Sequence, residues 1–184
     1  GMVAHGLITG MLFFLAGSVK HRYHTLEINR LSGMLIQMPR LGWILGFAAM
    51  ASLGLPGLAG FWGEFPAILS AYNPNFGLDV TLYRTLMVIA ALGTVLAAAY
   101  LLWLYQRTAF GRPNPEFAGT QSVGAAAADD HHGADIHDVT PIEWIAWTPF
   151  LIAIVVFGVY PQLMFDVMDP AVTALVERVG AGIP

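Results

Sequence analysis

Apolar residues come in long blocks along this chain, separated by short polar connections. The block at residues 1–19 is apolar apart from His5, Thr9 and Ser18. At roughly 1.5 Å per residue it crosses a ~30 Å hydrocarbon layer with little tilt. Further apolar blocks occupy 41–72, 85–106 and 141–167. The pattern predicts an all-α membrane protein of four transmembrane helices, joined by connections at 20–40, 73–84 and 107–140 and ending in a short amphipathic tail at 168–184.

The second block is too long for one straight span. Helical throughout, Leu41 to Tyr72 would measure about 48 Å, against a core of ~30 Å. Gly54, Gly57, Gly60 and Gly63 weaken a helix there, and Pro56 and Pro66 each remove an amide donor. These residues predict a helix broken near its middle. Lipid cannot satisfy backbone groups freed at membrane depth, so they must be buried in protein or line a wet cavity. Ion transporters use discontinuous helices in this way. Glu64, the only formal charge between Leu41 and Tyr72, lies just beyond the break. A buried carboxyl beside broken backbone is suited to loading and releasing a proton. The competing reading puts Glu64 at the membrane interface, among headgroups, marking a helix end.

In the first block His5 and Thr9 lie four apart and share a helix face, and Gly6, Gly10 and Gly17 permit close helix contact. An imidazole titrates near neutrality and can relay protons. A histidine satisfied by a neighbouring backbone carbonyl is the equal alternative.

The connections set the topology. Lys20, Arg22, Arg30 and Arg40 face a single acid, Glu27, in 20–40, which places that connection in the cytoplasm by the positive-inside rule. Its pattern allows a short surface helix from Leu26 to Met34, although Thr25 lacks the acidic partner of a capping box. Tyr72-Asn73-Pro74-Asn75-Phe76-Gly77 is turn chemistry on the opposite side. Trp103 and Tyr105 are interfacial anchors, and Arg107 and Arg112 return the chain to the cytoplasmic face. Residues 107–140 read as a flexible cytoplasmic loop. Its Asp129-Asp130-His131-His132-Gly133-Ala134-Asp135-Ile136-His137-Asp138 run offers no rigid scaffold or helical ligand spacing for a metal.

Composition agrees: 57% of residues are hydrophobic and 11% charged, against about 25% charged in ordinary soluble domains. With no cysteine, disulfides and thiolate chemistry are excluded. A net charge of -4 without a basic cluster gives no nucleic-acid footprint. No nucleophile–base pair, phosphate loop or metal-ligand spacing marks a soluble-type enzyme. The chain opens directly into its first apolar block, which reads as a cut through a longer protein.

Ala4-His5-Gly6-Leu7, His24-Thr25, Met50-Ala51-Ser52-Leu53-Gly54-Leu55-Pro56-Gly57, Gly60-Phe61-Trp62-Gly63-Glu64-Phe65, Ala109-Phe110-Gly111 and Gly158-Val159-Tyr160-Pro161-Gln162 together resemble the C-terminal third of the antiporter-like M subunits of bacterial proton-pumping NADH:quinone oxidoreductase, complex I. Related antiporter-like subunits usually carry lysine where this chain has Glu64, so the glutamate favours the M subunits. The resemblance implies a fourteen-helix antiporter-like bundle, of which this chain holds the last four spans. It makes Glu64 the terminal proton-transfer acid facing a periplasmic exit and His5 a relay on the central axis. It also implies no cofactor in this chain. NADH, flavin, iron–sulfur clusters and quinone belong to partner subunits, and the partners are other membrane-arm subunits and the lipid of the bacterial inner membrane. The first broken helix of the family pattern, with its lysines and paired glutamate, is absent, which implies an incomplete pumping unit. The rival readings are a subunit of a multisubunit cation/proton antiporter and a structural or assembly subunit in which Glu64 pairs with a partner's base.

Overall fold

The computed structural model describes residues 1–75, 77–118 and 136–181; Phe76 and most of the Asp/His-rich run, including Asp129 to Asp135, lie outside the described residues. Among the described residues every regular element is a helix: α1 (Met2–Tyr23), α2 (Met34–Gln37), α3 (Pro39–Ser52), α4 (Ala59–Ser70), α5 (Val80–Ala109), α6 (Pro115–Ala118), α7 (Pro141–Val159) and α8 (Gln162–Ala181). By length and apolar composition α1, α5 and α7 can each cross a membrane.

α1 continues past Val19 into the stretch expected to be a connection. Lys20, His21 and Arg22 form its last turn, where cations meet the negative end of the helix dipole. His24 closes it in the left-handed region at φ 54, donating its amide to the Lys20 carbonyl. The expected surface helix from Leu26 to Met34 does not form. The Thr25 hydroxyl accepts from the Glu27 amide at 3.1 Å, a local bond that competes with helix. The chain turns at Glu27–Arg30, then buries Leu31, Met34 and Met38 in a core with Val19 and Leu41.

The long apolar block is two helices. α3 opens with Pro39 at its first position, where a missing amide costs nothing, and it ends at Ser52. α4 starts at Ala59. Gly54 and Gly57, at φ 67 and φ 92, carry the chain through the gap in the left-handed region that favours glycine. Gly60, Gly63 and Pro66, expected to help break the helix, instead lie inside α4, which continues through the proline.

α5 begins at Val80 because the Asp79 carboxylate accepts the Leu82 amide at 2.9 Å, so Val80 to Arg84 are helix rather than external loop. Arg84 braces the preceding turn, donating to the Tyr72 carbonyl at 3.0 Å with its guanidinium over the Tyr72 ring. The described flanks of the expected 107–140 loop are packed: Phe117, Ile136 and Val139 are buried in the core. The last span ends at Val159, not Val167. Tyr160 leaves helical dihedrals and Pro161 has no amide to donate to the preceding turn. The expected short tail is α8, a helix of 20 residues.

The core lies where α1, α3 and α7 meet, around Met11, Leu15, Leu41, Ala48, Trp147 and Ile154. Lipid supplies no hydrophobic drive between helices, so close packing at small residues does the holding. Gly46 of α3 receives the Tyr105 ring of α5; a Cβ there would stand 2.6 Å from the tyrosine oxygen. α4 leans on α7 and α1.

Candidate functional site

α1, α3 and α4 enclose a recess of about 200 Å³ at the helix break, room for a few waters, lined by Ala4, His5, Ile8, Ala51, Ser52, Gly60, Gly63 and Glu64. Two glycines let α4 come close enough to form it. A Cβ at Gly60 would lie 2.4 Å from the Ala51 carbonyl oxygen, and one at Gly63 would lie 2.5 Å from Gly1 Cα. The Glu64 carboxylate lies directly over the break: a Cβ on Gly54 would meet Oε2 at 2.8 Å. Glu64 is exposed on this chain, not buried as expected, because the three helices wall the recess on one side and leave its mouth open.

His5 shares that recess. The Thr9 hydroxyl stands 3.3 Å from its Nε2, as their spacing on one helix face predicts. Imidazole and carboxylate thus border one space beside unwound backbone. Such a space can hold water and pass a proton between groups that each bind one. Of the other residues singled out from sequence, Gly54 touches Glu64, whereas Pro56 and Gly57 lie on the exposed side of the break, where Gly57 abuts α7. There Gly158 of α7 packs directly on the backbone of Gly57 and Leu58, and its carbonyl accepts the Trp62 indole N–H at 2.7 Å.

Sequence reasoning missed a second polar centre. Arg22, counted as a charge marking a membrane face, is 2% exposed. It forms a two-bond ion pair with Glu143, Nη2 to Oε2 at 2.7 Å and Nη1 to Oε1 at 2.8 Å. Its remaining donors reach the carbonyls of Ser18, His137 and Asp138. Glu143 also accepts from the Ser18 hydroxyl and caps α7 reciprocally with Thr140. Asp138 accepts the Arg40 and Leu41 amides at 3.1 Å and so caps α3. The visible signal was Thr140-Pro141-Ile142-Glu143, capping-box spacing with proline at the first helical position. Arg30, by contrast, pairs with Glu116 at the surface, its guanidinium pushed above its usual value by that hydrogen bond and then by the carboxylate's charge.

Residues 1–97, which hold the whole recess, match the family model described as NADH:quinone oxidoreductase/Mrp antiporter, TM. The chain is 34% identical over 182 residues to NADH-quinone oxidoreductase subunit M of Rhodobacter capsulatus, covering 99% of this chain and 31% of that one. It is 34% identical over 177 residues to NADH-ubiquinone oxidoreductase chain 4 of Arabidopsis thaliana, covering 96% of this chain and 31% of the plant protein. Respiratory complex I from Thermus thermophilus with bound NADH contains a chain that superposes with a TM-score of 0.69 at 30% identity, covering 91% of this chain and 30% of that one. The chain therefore spans about a third of the length of these relatives, and it is an all-helical membrane protein. It belongs to the NADH:quinone oxidoreductase/Mrp antiporter transmembrane family.

Proposed function

We propose that this chain is the C-terminal, proton-conducting part of an M-type subunit in a proton-pumping NADH:quinone oxidoreductase of a bacterial inner membrane. Single observation carries the reading: His5 and Glu64 border one recess at a helix break. α3 and α4 are each too short to cross ~30 Å alone, so they cross as a broken pair, with Glu64 at the joint. The carboxylate takes a proton from His5 through water in the recess, becomes neutral, and releases the proton to the opposite face when a change in its surroundings favours the anion. The helix break leaves backbone dipoles and water, rather than lipid, around the charged form.

NADH oxidation and quinone reduction, with flavin and iron–sulfur clusters, are assigned to partner subunits, and neighbouring antiporter-like subunits are the membrane-arm partners. The relatives named as NADH–quinone oxidoreductase subunits favour this reading over a cation/proton antiporter.

The test is Glu64→Gln in the complete assembled complex. Glutamine keeps size and hydrogen bonding but cannot exchange a proton. Proton pumping and coupled NADH:quinone turnover are expected to fall by about a hundredfold, the low end for loss of a proton-transfer group, with subunit content near the parental level. Parental pumping would remove Glu64 as an obligatory carrier and leave the interfacial reading. Loss of assembly would instead support a structural pairing.

A further inference from the structure

α7 touches the break with backbone against backbone. A Cβ at position 158 would stand 2.2 Å from the Gly57 carbonyl oxygen and 2.4 Å from Leu58 Cα, so only glycine fits without displacing the gap between α3 and α4. α7 ends at Val159. The Gly158 carbonyl is therefore one of the helix's last four, beyond the reach of an intrahelical donor. Gly158 is buried, so its carbonyl needs a donor from protein. The Trp62 indole N–H supplies it at 2.7 Å, and the Trp62 ring packs edge-on against Phe165 of α8 with centroids 6.2 Å apart.

Trp62 and Glu64 are two residues apart on α4, about 200° apart around its axis at 3.6 residues per turn. With Trp62 held on α7, Glu64 is turned to the other side, toward α1 and α3, where the recess lies. On that other side the close packing of Gly60 on the Ala51 carbonyl and of Gly63 on Gly1 is the second restraint on the rotation. α4 begins at Ala59, little more than one turn before Glu64, and Pro66 interrupts its hydrogen bonding two residues later.

We propose that Trp62 and Gly158 are positioning residues for Glu64: the indole bond to the end of α7 sets the rotation of α4, and the close fit of Gly158 sets the depth of the break. The assignment rests on Glu64 carrying the proton. It adds that the last span, α7, governs where the carboxylate points.

The test uses Trp62→Phe, Trp62→His and Gly158→Ala in the complete complex, with Glu64→Gln alongside in the same vesicles. Trp62→Phe removes the donor and is expected to assemble normally, to lower coupled turnover by about tenfold, the scale of one well-placed hydrogen bond, and to shift the pH profile of the remaining turnover. Trp62→His keeps a ring N–H and recovers at least half of the loss. Gly158→Ala shifts the pH profile in the same direction. Adding Trp62→Phe to Glu64→Gln lowers turnover no further, because the tryptophan acts through the carboxylate. A parental rate and pH profile in Trp62→Phe overturns the proposal. So does a loss of turnover that only follows a loss of subunit content with the profile unchanged, or a Trp62→His no better than Trp62→Phe. If Glu64→Gln itself pumps at the parental rate, the proton-carrier reading fails first, whatever the tryptophan variants do.

Discussion

At the scale of single residues, Gly54 and Gly57 look alike in sequence and differ in structure. Both hold a positive φ, 67 and 92, that disfavours any side chain. A Cβ on Gly57 meets nothing within 4 Å, whereas one on Gly54 would press on Glu64 Oε2 at 2.8 Å. Gly57→Ala thus suffers backbone strain alone, on the order of 1–2 kcal/mol. Gly54→Ala suffers similar strain and also pushes the carboxylate from its seat. Coupled turnover at matched subunit content is expected to fall several-fold further in Gly54→Ala than in Gly57→Ala. Equal losses would assign the whole effect to the backbone and detach Gly54 from the site. This difference was not legible in the sequence, because identical residues three apart carry no information about which one faces the second turn of α4.

At the scale of elements, what periodic pattern and turn chemistry determine was legible. The long block had to break because its length exceeds the bilayer and its glycines and prolines cluster. His5 and Thr9 had to share a face because a helix puts residues four apart together. What was not legible came from contacts distant in sequence. Arg22 lies 121 positions from Glu143, and nothing in a count of basic residues distinguishes a buried guanidinium from a solvated one. Removing one partner of such a pair leaves the other desolvated and unpaired. Arg22→Ala is expected to destabilise the subunit by about 3 kcal/mol, the low end for a buried pair, because Glu143 keeps 19% exposure. The loss shows as a lower melting temperature of the purified complex and less subunit in membranes. Arg30→Ala breaks an ion pair whose side chains are 42% and 46% exposed, and should leave both quantities near parental. If the two variants melt alike, the network joining α1, α3 and α7 is not what holds that end together.

At the scale of the whole molecule, the fold gathers the basic ends of several helices onto one face. The Gly33 amide donates to the Phe110 carbonyl at 3.1 Å and the Ser32 hydroxyl to the Arg112 carbonyl at 2.9 Å, so the 20–40 connection and the end of α5 meet directly. The Arg22 and Asp138 bonds bring the start of α7 and the start of α3 to the same place. Lys20, Arg40, Arg107 and Arg112 are exposed near this end, while Arg84 lies in the first turns of α5, about 35 Å from Arg107 along the helix at roughly 1.5 Å per residue. The burial of Arg22 removes one charge from the solvated tally without changing its sign. Under the proposed orientation the Lys/Arg-rich face is cytoplasmic, since short loops retain their basic residues on that side. This chain has no cysteine, so single cysteines at Glu27 and Leu78 report the two faces without interference from its own residues. In inside-out vesicles an impermeant maleimide is expected to label Glu27→Cys and spare Leu78→Cys, with the reverse in right-side-out vesicles. The opposite pattern would invert the direction in which the Glu64 recess delivers its proton, since α4 runs from the break toward the Leu78 face, and would make the same carboxylate an entry group rather than an exit group.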